Sequence, residues 1–170
     1  MTLDNNINYS NVNIRPKPYV SDKIVFDFEK LRKEFYRSDL ELQGVDHSGP
    51  SYEGRVFINN DDANYDTPTD KSNRYAGSYF IFGHGGCYGD VGHCDMRRPM
   101  TRFNLIPNQL KPENVSIIIT PIIKDLPPNT KELKVTIVPV ISDSNPMGRD
   151  IDIDKIVNIE KIVLHAYDLE

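Results

Sequence analysis

The residues most able to do chemistry lie in one short glycine-rich segment, Gly83–Asp95. This segment contains five glycines, both cysteines of the chain and two of its four histidines. Glycine lets the backbone turn sharply and adopt positive φ angles. We therefore predict a loop that folds back on itself and brings its thiol and imidazole groups together.

Three interpretations of this loop remain open. Cys87 and Cys94 could form a disulfide that closes a short loop, which an oxidising compartment would favour. The loop could instead be a packed turn with reduced, partly buried thiols. The third interpretation is a metal site, because two imidazoles and two thiolates are a standard tetrahedral set for Zn²⁺ and soft sulfur also suits Cu(I). Its copper or zinc ligands would be His84, Cys87, His93 and Cys94.

The metal interpretation has two weaknesses. The ligand spacing departs from that of zinc fingers. In addition, the side chains of His93 and Cys94 are adjacent in the sequence and cannot easily both point inward.

The other candidate groups carry weaker signals. His47 lies in a predicted turn, and His165 lies on a predicted strand, where a single histidine is more often structural than a ligand. The acidic segment Asp61–Asp66 lacks the glycine and the distal glutamate of a calcium-binding loop, which favours a solvated loop. No Gly-x-Ser-x-Gly elbow and no phosphate-binding glycine motif occurs, so we predict neither a hydrolase triad nor a nucleotide cofactor.

Short segments rich in β-forming residues surround these groups. They are separated by Gly, Pro, Asn and Asp, which is typical of an all-β protein. Pro121 and Pro139 lie inside two of these segments and predict edge positions or bulges. Leu31 and Phe35 are four residues apart and predict a short helix over Glu29–Tyr36. The predicted strands are Ile24–Phe28, Leu40–Gln43, Glu53–Ile58, Tyr75–Phe82, Val115–Ile123, Leu133–Ile141 and Ile156–Tyr167.

These elements predict one all-β domain, an antiparallel β-sandwich of Greek-key or jelly-roll type with long loops and at most one short helix. A chain of 170 residues is long enough for one domain with a substantial core. Residues 1–22 are rich in Asn and have no periodic apolar face. They are predicted to be an arm, either disordered or an ordered strand packed on the domain, which occupies residues 23–170.

Charge and hydropathy exclude several classes of partner. The chain has 20 Lys and Arg against 25 Asp and Glu, a net charge of −5. An acidic domain without a basic stripe repels nucleic acid phosphates and lacks the patch that binds anionic membranes. No apolar run is long enough to cross a bilayer. The first ten residues lack the pattern of a signal peptide, which predicts a cytoplasmic protein, or a secreted one if a signal segment has been removed.

Two segments give the sequence a resemblance to a known family. Glu53–Asn60 (EGRVFINN) and Tyr75–Cys87 (YAGSYFIFGHGGC) resemble the domain that follows the copper centre in bacterial tyrosinase-family proteins. Ala76–Gly83 is also similar to the corresponding strand of molluscan hemocyanin C-terminal domains. The resemblance continues through the Pro99–Leu105 stretch and the β-rich segments that follow, and it covers roughly residues 23–170.

The resemblance implies a β-sandwich that packs against a helical bundle, shields a dicopper site and can place a side chain over its entrance. In some fungal relatives, cysteines in this region handle copper. A type-3 copper pair is held by six histidines on a helical bundle, whereas this chain has four histidines. We therefore predict that the chain is not an enzyme by itself.

The function predicted from the sequence is that of a non-catalytic accessory or interaction domain with a protein partner or self-association. One alternative is copper or zinc handling through the loop at residues 83–95. Another is a structural or assembly role, in which the arm at residues 1–22 adds a strand to a neighbouring sheet.

Overall fold

The protein is built of short antiparallel strands. A computed structural model describes residues 15–27, 35–85, 94, 110–142 and 152–168. Among these residues there is one α-helix, α1 (Thr120–Asp125). The strands are β1 (Tyr19–Val20), β2 (Ile24–Val25), β3 (Phe35–Val45), β4 (Tyr52–Ile58), β5 (Tyr75–Ile81), β6 (Glu113–Ile118), β7 (Glu132–Leu133), β8 (Val135–Val140) and β9 (Lys161–Asp168).

Two sheets enclose one hydrophobic core. The larger sheet has the strand order β1-β8-β4-β5, the second has the order β6-β3-β9, and β2 pairs with β7 in a small third sheet. Leu40 and Leu42 of β3 are fully buried in the same cluster as Val56 of β4 and Ile137 of β8. Alternate residues of each strand therefore meet between the sheets. The predicted all-β antiparallel sandwich with at most one short helix is confirmed for the described residues.

The prediction of one continuous strand over Val115–Ile123 is wrong. The strand β6 ends at Ile118, and α1 begins at Thr120. Pro121 lies in the first turn of this helix, where its missing N–H would have no intrahelical partner in any case. Pro139 does lie at an edge position, as predicted. On one side of β8 the pairing with β1 ends at Ile137, so Pro139 is paired only on its other side, with β4.

The predicted helix over Glu29–Tyr36 is wrong at its end. Residues 28–34 lie outside the described residues, but Phe35 already begins β3 and pairs with Asp168 of β9. The last predicted strand also starts later than expected, at Lys161. A single 3₁₀ turn, Ile153–Lys155, and a segment without regular secondary structure precede it.

The described part of the predicted arm, from Arg15 onward, is packed on the domain. Tyr19 pairs with Ile137, and Ser21 is buried. The Ser21 hydroxyl accepts a hydrogen bond of 2.9 Å from the backbone N–H of Val135. This segment therefore follows the ordered-strand alternative. Residues 1–14 lie outside the described residues, and the domain boundary at residue 23 remains a prediction.

The acidic loop between β4 and β5 covers part of the outer face of the larger sheet. Ala63 from this loop packs with Phe57 and Val138, and Tyr75 closes the cluster. Lys134 forms an ion pair with Asp61 of the loop. Among the described residues, no helix is long and apolar enough to cross a membrane.

A close approach of a tyrosine to a glycine holds β4 and β5 in register. Gly54 lies directly opposite Tyr79, and a Cβ atom at position 54 would lie 2.3 Å from the Tyr79 ring. Tyr79 in turn meets Tyr52 edge to face, with ring centroids 5.9 Å apart and hydroxyl oxygens 3.3 Å apart. The missing side chain at Gly54 therefore makes room for a buried pair of aromatic rings.

Substitution Gly54→Ala should destabilise the fold by about 1–3 kcal/mol, because the new methyl group overlaps a buried ring that has little room to move. Urea denaturation measures this change in the free energy of unfolding. Gly49→Ala is the matched control, since a Cβ atom added at position 49 would meet nothing within 4 Å. Equal stability of the two variants would contradict the proposed contact.

Alkaline pH should destabilise the fold through the same tyrosines. Burial is the main cause that raises the pKa of Tyr52 from 10.0 to about 12, and burial also raises the pKa of Tyr79. The unfolded chain releases these protons first. The resulting stabilisation is therefore complete below about pH 10 and is lost as the pH rises through about 12.

Urea denaturation at a series of alkaline pH values tests this expectation. Tyr52→Phe keeps the ring and removes one buried phenol, so this variant should lose less stability over the alkaline range than the wild-type protein. Tyr36→Phe is the matched control at an exposed tyrosine and should keep the wild-type pH dependence. An unchanged alkaline loss in Tyr52→Phe would rule out this origin.

Candidate functional site

The start of the glycine-rich loop packs on the turn that joins β3 to β4. In this turn the carboxylate of Asp46 accepts hydrogen bonds from the backbone N–H of Ser48 at 2.9 Å and from its hydroxyl at 2.7 Å. Such a side-chain bond to the backbone two residues further on is typical of an Asx turn. It orders the turn and thereby the position of His47.

Gly83 brings the two segments into direct backbone contact. Its N–H donates to the hydroxyl of Ser51 at 2.9 Å. The N–H of His84 donates to the backbone carbonyl of His47, also at 2.9 Å. A Cβ atom at position 83 would lie 2.2 Å from the carbonyl oxygen of Gly49 and 2.2 Å from the carbonyl carbon of Pro50. Glycine is the residue that allows this approach, because both obstacles are backbone atoms.

His47 is buried, with 6% of its surface exposed. Its Nε2 lies 2.8 Å from the backbone carbonyl oxygen of Lys111. A carbonyl oxygen only accepts, so Nε2 carries the hydrogen and Nδ1 of the neutral ring carries a lone pair. This Nδ1 is buried without a hydrogen-bond partner, and the nearest carboxylate oxygen, Oε1 of Glu113, is 3.7 Å away.

His84 lies beside His47. Their ring centroids are 5.0 Å apart and the ring planes are nearly perpendicular. Phe82 meets the other side of His84 edge to face at 5.8 Å. The Nδ1 of His84 is also buried without a hydrogen-bond partner. Two neighbouring imidazole rings thus each have a buried nitrogen without a polar contact, which is uncommon in folded proteins.

The predicted metal ligands are only partly described. His84 and Cys94 lie among the described residues, whereas Cys87 and His93 lie outside them. Cys94 is disulfide-bonded. Within the described part of the chain, no group of three or more His, Cys, Asp or Glu side chains is arranged as a metal cluster. The four-ligand copper or zinc site therefore remains a prediction.

His165, the fourth histidine, lies on the other sheet. Its Nε2 is 2.6 Å from a carboxylate oxygen of Glu41 on the neighbouring strand β3. Arg37 and Asp39 form a second charged pair on the same strand, at 2.7 Å. These contacts fit the structural role predicted for a single histidine on a strand.

Two phenylalanines project from β5 and the residue that follows it into solvent. Phe80 is 76% exposed and Phe82 is 79% exposed, and both lie on the outer face of the larger sheet. We call them the β5 aromatic pair. Glu53 lies directly opposite Phe80 and binds both the Ser78 hydroxyl, at 2.6 Å, and Arg55, at 3.2 Å. The aromatic pair is therefore bordered by an ordered polar group.

His84 stands out in the sequence as part of the glycine-rich loop, whereas its pairing with His47 was not predicted. The pairing of β4 with β5 is the feature that would have indicated that the two histidines are close. Tyr52 pairs with Ile81, so residues that precede Tyr52 must lie near residues that follow Ile81. The hairpin register, once known, places the two histidines at the same end of the sheet.

No protein-family model matches this sequence. No curated protein sequence matches it either.

The chain is similar in structure to part of a recombinantly expressed latent aurone synthase, a polyphenol oxidase. The form co-crystallised with hexatungstotellurate(VI) has 12% sequence identity and a TM-score of 0.49, over 90% of this chain and 24% of that one. The same co-crystal soaked in H₂O₂ gives 13% and 0.48, over 91% and 25%. Another structure of the latent enzyme gives 15% and 0.46, over 92% and 25%.

This chain thus spans about a quarter of the length of the solved structures it is similar to. These solved structures are of a polyphenol oxidase, and the chain covers one part of it. To that extent they agree with the resemblance seen in the sequence. Identities of 12–15% and TM-scores below 0.5 do not assign the chain to their family.

Proposed function

We propose that this chain is a non-catalytic accessory domain that docks through the β5 aromatic pair on a tyrosinase-type copper domain and shields its dicopper site. The observation that carries the proposal is the exposure of Phe80 and Phe82 side by side at one end of an ordered strand. Aromatic side chains are enriched at protein interfaces, and an apolar centre with a polar border is the usual interface pattern. Glu53, Arg55 and Ser78 supply such a border on one side.

The sequence resemblance supports the choice of partner. Its most specific segment, Tyr75–Cys87, includes β5 and both residues of the aromatic pair. In the family that it resembles, this domain packs against the helical bundle that holds the copper. The same strand that gives the resemblance therefore presents the surface suited to a partner.

The histidine count supports an accessory role. The chain has four histidines where a dicopper site uses six. His165 is paired with Glu41, and the Nε2 of His47 is bound to a backbone carbonyl. The copper pair would therefore have to be provided by a separate domain or a separate chain.

Burial of the aromatic pair would supply much of the docking energy. Full removal of one phenylalanine side chain from water contributes about 1.5–3 kcal/mol. Two exposed rings at the end of one strand can form the centre of an interface, where most of the binding energy is usually concentrated. Phe80 lies in β5 and Phe82 directly follows the strand, so the paired backbone limits the conformational entropy that docking would cost.

The proposal predicts that the wild-type chain binds a tyrosinase-type copper domain and inhibits its oxidation of a diphenol. The double variant Phe80→Ser/Phe82→Ser should lower the affinity by about 100-fold, because it removes the apolar centre of the interface. Binding is measured by sedimentation velocity and inhibition by the rate of diphenol oxidation. Both substitutions are on the surface and should change stability by only about 0.5 kcal/mol or less.

Val25→Ser is the matched control, since Val25 is equally exposed but lies on the small β2–β7 sheet. It should bind and inhibit like the wild-type chain. Absence of binding by the wild-type chain, or equal binding by the double variant, would contradict the proposal. Self-association that is lost in the double variant would instead identify a second copy of this chain as the partner.

We also propose that Cys94 pairs with Cys87, the other cysteine of the chain. This bond would close a short loop, which typically stabilises a fold by about 2 kcal/mol. It would also withdraw both sulfurs from thiolate coordination of a metal. A bond of this kind suits a protein that works in an oxidising compartment.

Alkylation of the denatured protein tests this pairing. Without reductant the chain should remain monomeric and take up no alkyl group, and after reduction it should take up two, as measured by intact mass. Labelling of two thiols before reduction, or a disulfide-linked dimer, would rule out the intramolecular bond.

A further inference from the structure

We propose that His47 and His84 form a binding site for a borderline divalent cation, Zn²⁺ or Cu²⁺, beside Phe82. This set of ligands differs from the loop cysteines and does not depend on the docking function proposed above. Each of these imidazoles has a buried Nδ1 without a hydrogen-bond partner, and the two ring centroids are 5.0 Å apart.

His47 is prepared as a ligand by its own hydrogen bond. Its Nε2–H donates to the Lys111 carbonyl, which fixes both the tautomer and the orientation of the ring. The lone pair is therefore on Nδ1, which has no partner. A ring N–H donated to a backbone carbonyl is the usual arrangement behind a metal-binding histidine, because it orients the ring and raises its basicity.

His84 supplies the second nitrogen. Its backbone N–H is bound to the His47 carbonyl, so the two residues are joined through the backbone as well as through their rings. The contact of Gly83 with Gly49 and Pro50 leaves this segment little freedom to move away. Phe82 covers one side of the His84 ring. The His84 ring is thus held beside the His47 ring by the fold itself.

Glu113 places a carboxylate at the rim of the histidine pair, but it does not form a preassembled three-ligand group with them. Its carboxylate oxygen is 3.7 Å from Nδ1 of His47, and its side chain is about half exposed. The Glu113 side chain can therefore rotate towards a bound cation, and its negative charge would partly neutralise the charge of the cation. No closed set of three or more ligands is preformed among the described residues, so the cation would bind at an open site, with water in the remaining positions.

The chemistry of the donors selects the class of cation. Neutral imidazole suits Zn²⁺ and Cu²⁺, whereas Mg²⁺ and Ca²⁺ prefer sites made of oxygen ligands alone. A group that donates hydrogen bonds could satisfy the same nitrogens, but a cation is also attracted by the Glu113 carboxylate. The site is consequently predicted to prefer Zn²⁺ or Cu²⁺ to Mg²⁺ and Ca²⁺.

Isothermal titration of Zn²⁺ into the metal-free full chain, without reductant, tests the proposal, and visible absorption of bound Co²⁺ reports the ligand field. The wild-type chain should bind about one Zn²⁺. His84→Ala should weaken binding by about 100-fold or more, since it removes a direct ligand. His165→Ala is the matched control, because His165 is bound to Glu41 on the other sheet, and it should bind like the wild-type chain.

His47→Gln provides a second variant that is compatible with folding, because its amide can still donate to the Lys111 carbonyl while the Nδ1 ligand is lost. Thermal unfolding without metal checks that this variant is folded. It should bind Zn²⁺ as weakly as His84→Ala. Calcium should not compete in the wild-type chain.

Three outcomes would overturn the proposal. The first is an absence of Zn²⁺ binding by the wild-type chain. The second is equal binding by His84→Ala and His165→Ala. The third is wild-type binding by folded His47→Gln together with loss of binding in His93→Ala, which would transfer the metal to the glycine-rich loop.

Discussion

The antiparallel register of β4 and β5 is the constraint on which the rest of the candidate sites depends. Tyr52 pairs with Ile81, and Gly54 pairs with Tyr79. This register turns Tyr79 into the core against a position without a side chain. Because side chains alternate along a strand, it also turns Phe80 and Phe82 outward. A shift of one residue would bury the aromatic pair and expose Tyr79.

The same register also determines the positions of Gly83 and His84, which follow the hairpin. Beyond Ile81 the chain continues for two residues and reaches Gly83, which lies against the backbone of Gly49 and Pro50. That contact leaves no space for a side chain and directs the next residue, His84, towards His47. The histidine pair is thus a consequence of strand pairing and of one glycine.

Phe82 connects the two surfaces. One part of its ring contacts His84 at 5.8 Å, while 79% of the residue remains exposed to solvent beside Phe80. A partner that docked on the β5 aromatic pair would therefore lie close to the histidines. The polar groups around the pair are already bound to one another through Glu53, so docking would not leave them without partners.

Local sequence patterns were sufficient to establish the fold class and most of the strands. Alternating apolar residues in β3 and β4 and the aromatic residues of β5 are such patterns, and they survive in the structure because the core must bury one face of each strand. The prediction of one strand over Val115–Ile123 was wrong because Pro121 is compatible both with an edge strand and with the first turn of a helix. In the structure the helix packs Ile122 and Ile123 into the core, a contact that the local sequence does not reveal.

The candidate sites needed the tertiary structure. Local spacing drew attention to His84 and the cysteines, but His47 is distant in sequence and became visible only through the β4–β5 register. The outward direction of Phe80 and Phe82 likewise depends on which face of β5 meets the second sheet. The sequence determines which chemical groups are present and how apolar and polar residues alternate along each strand. Contacts between distant segments arise from the pairing and packing of the whole chain.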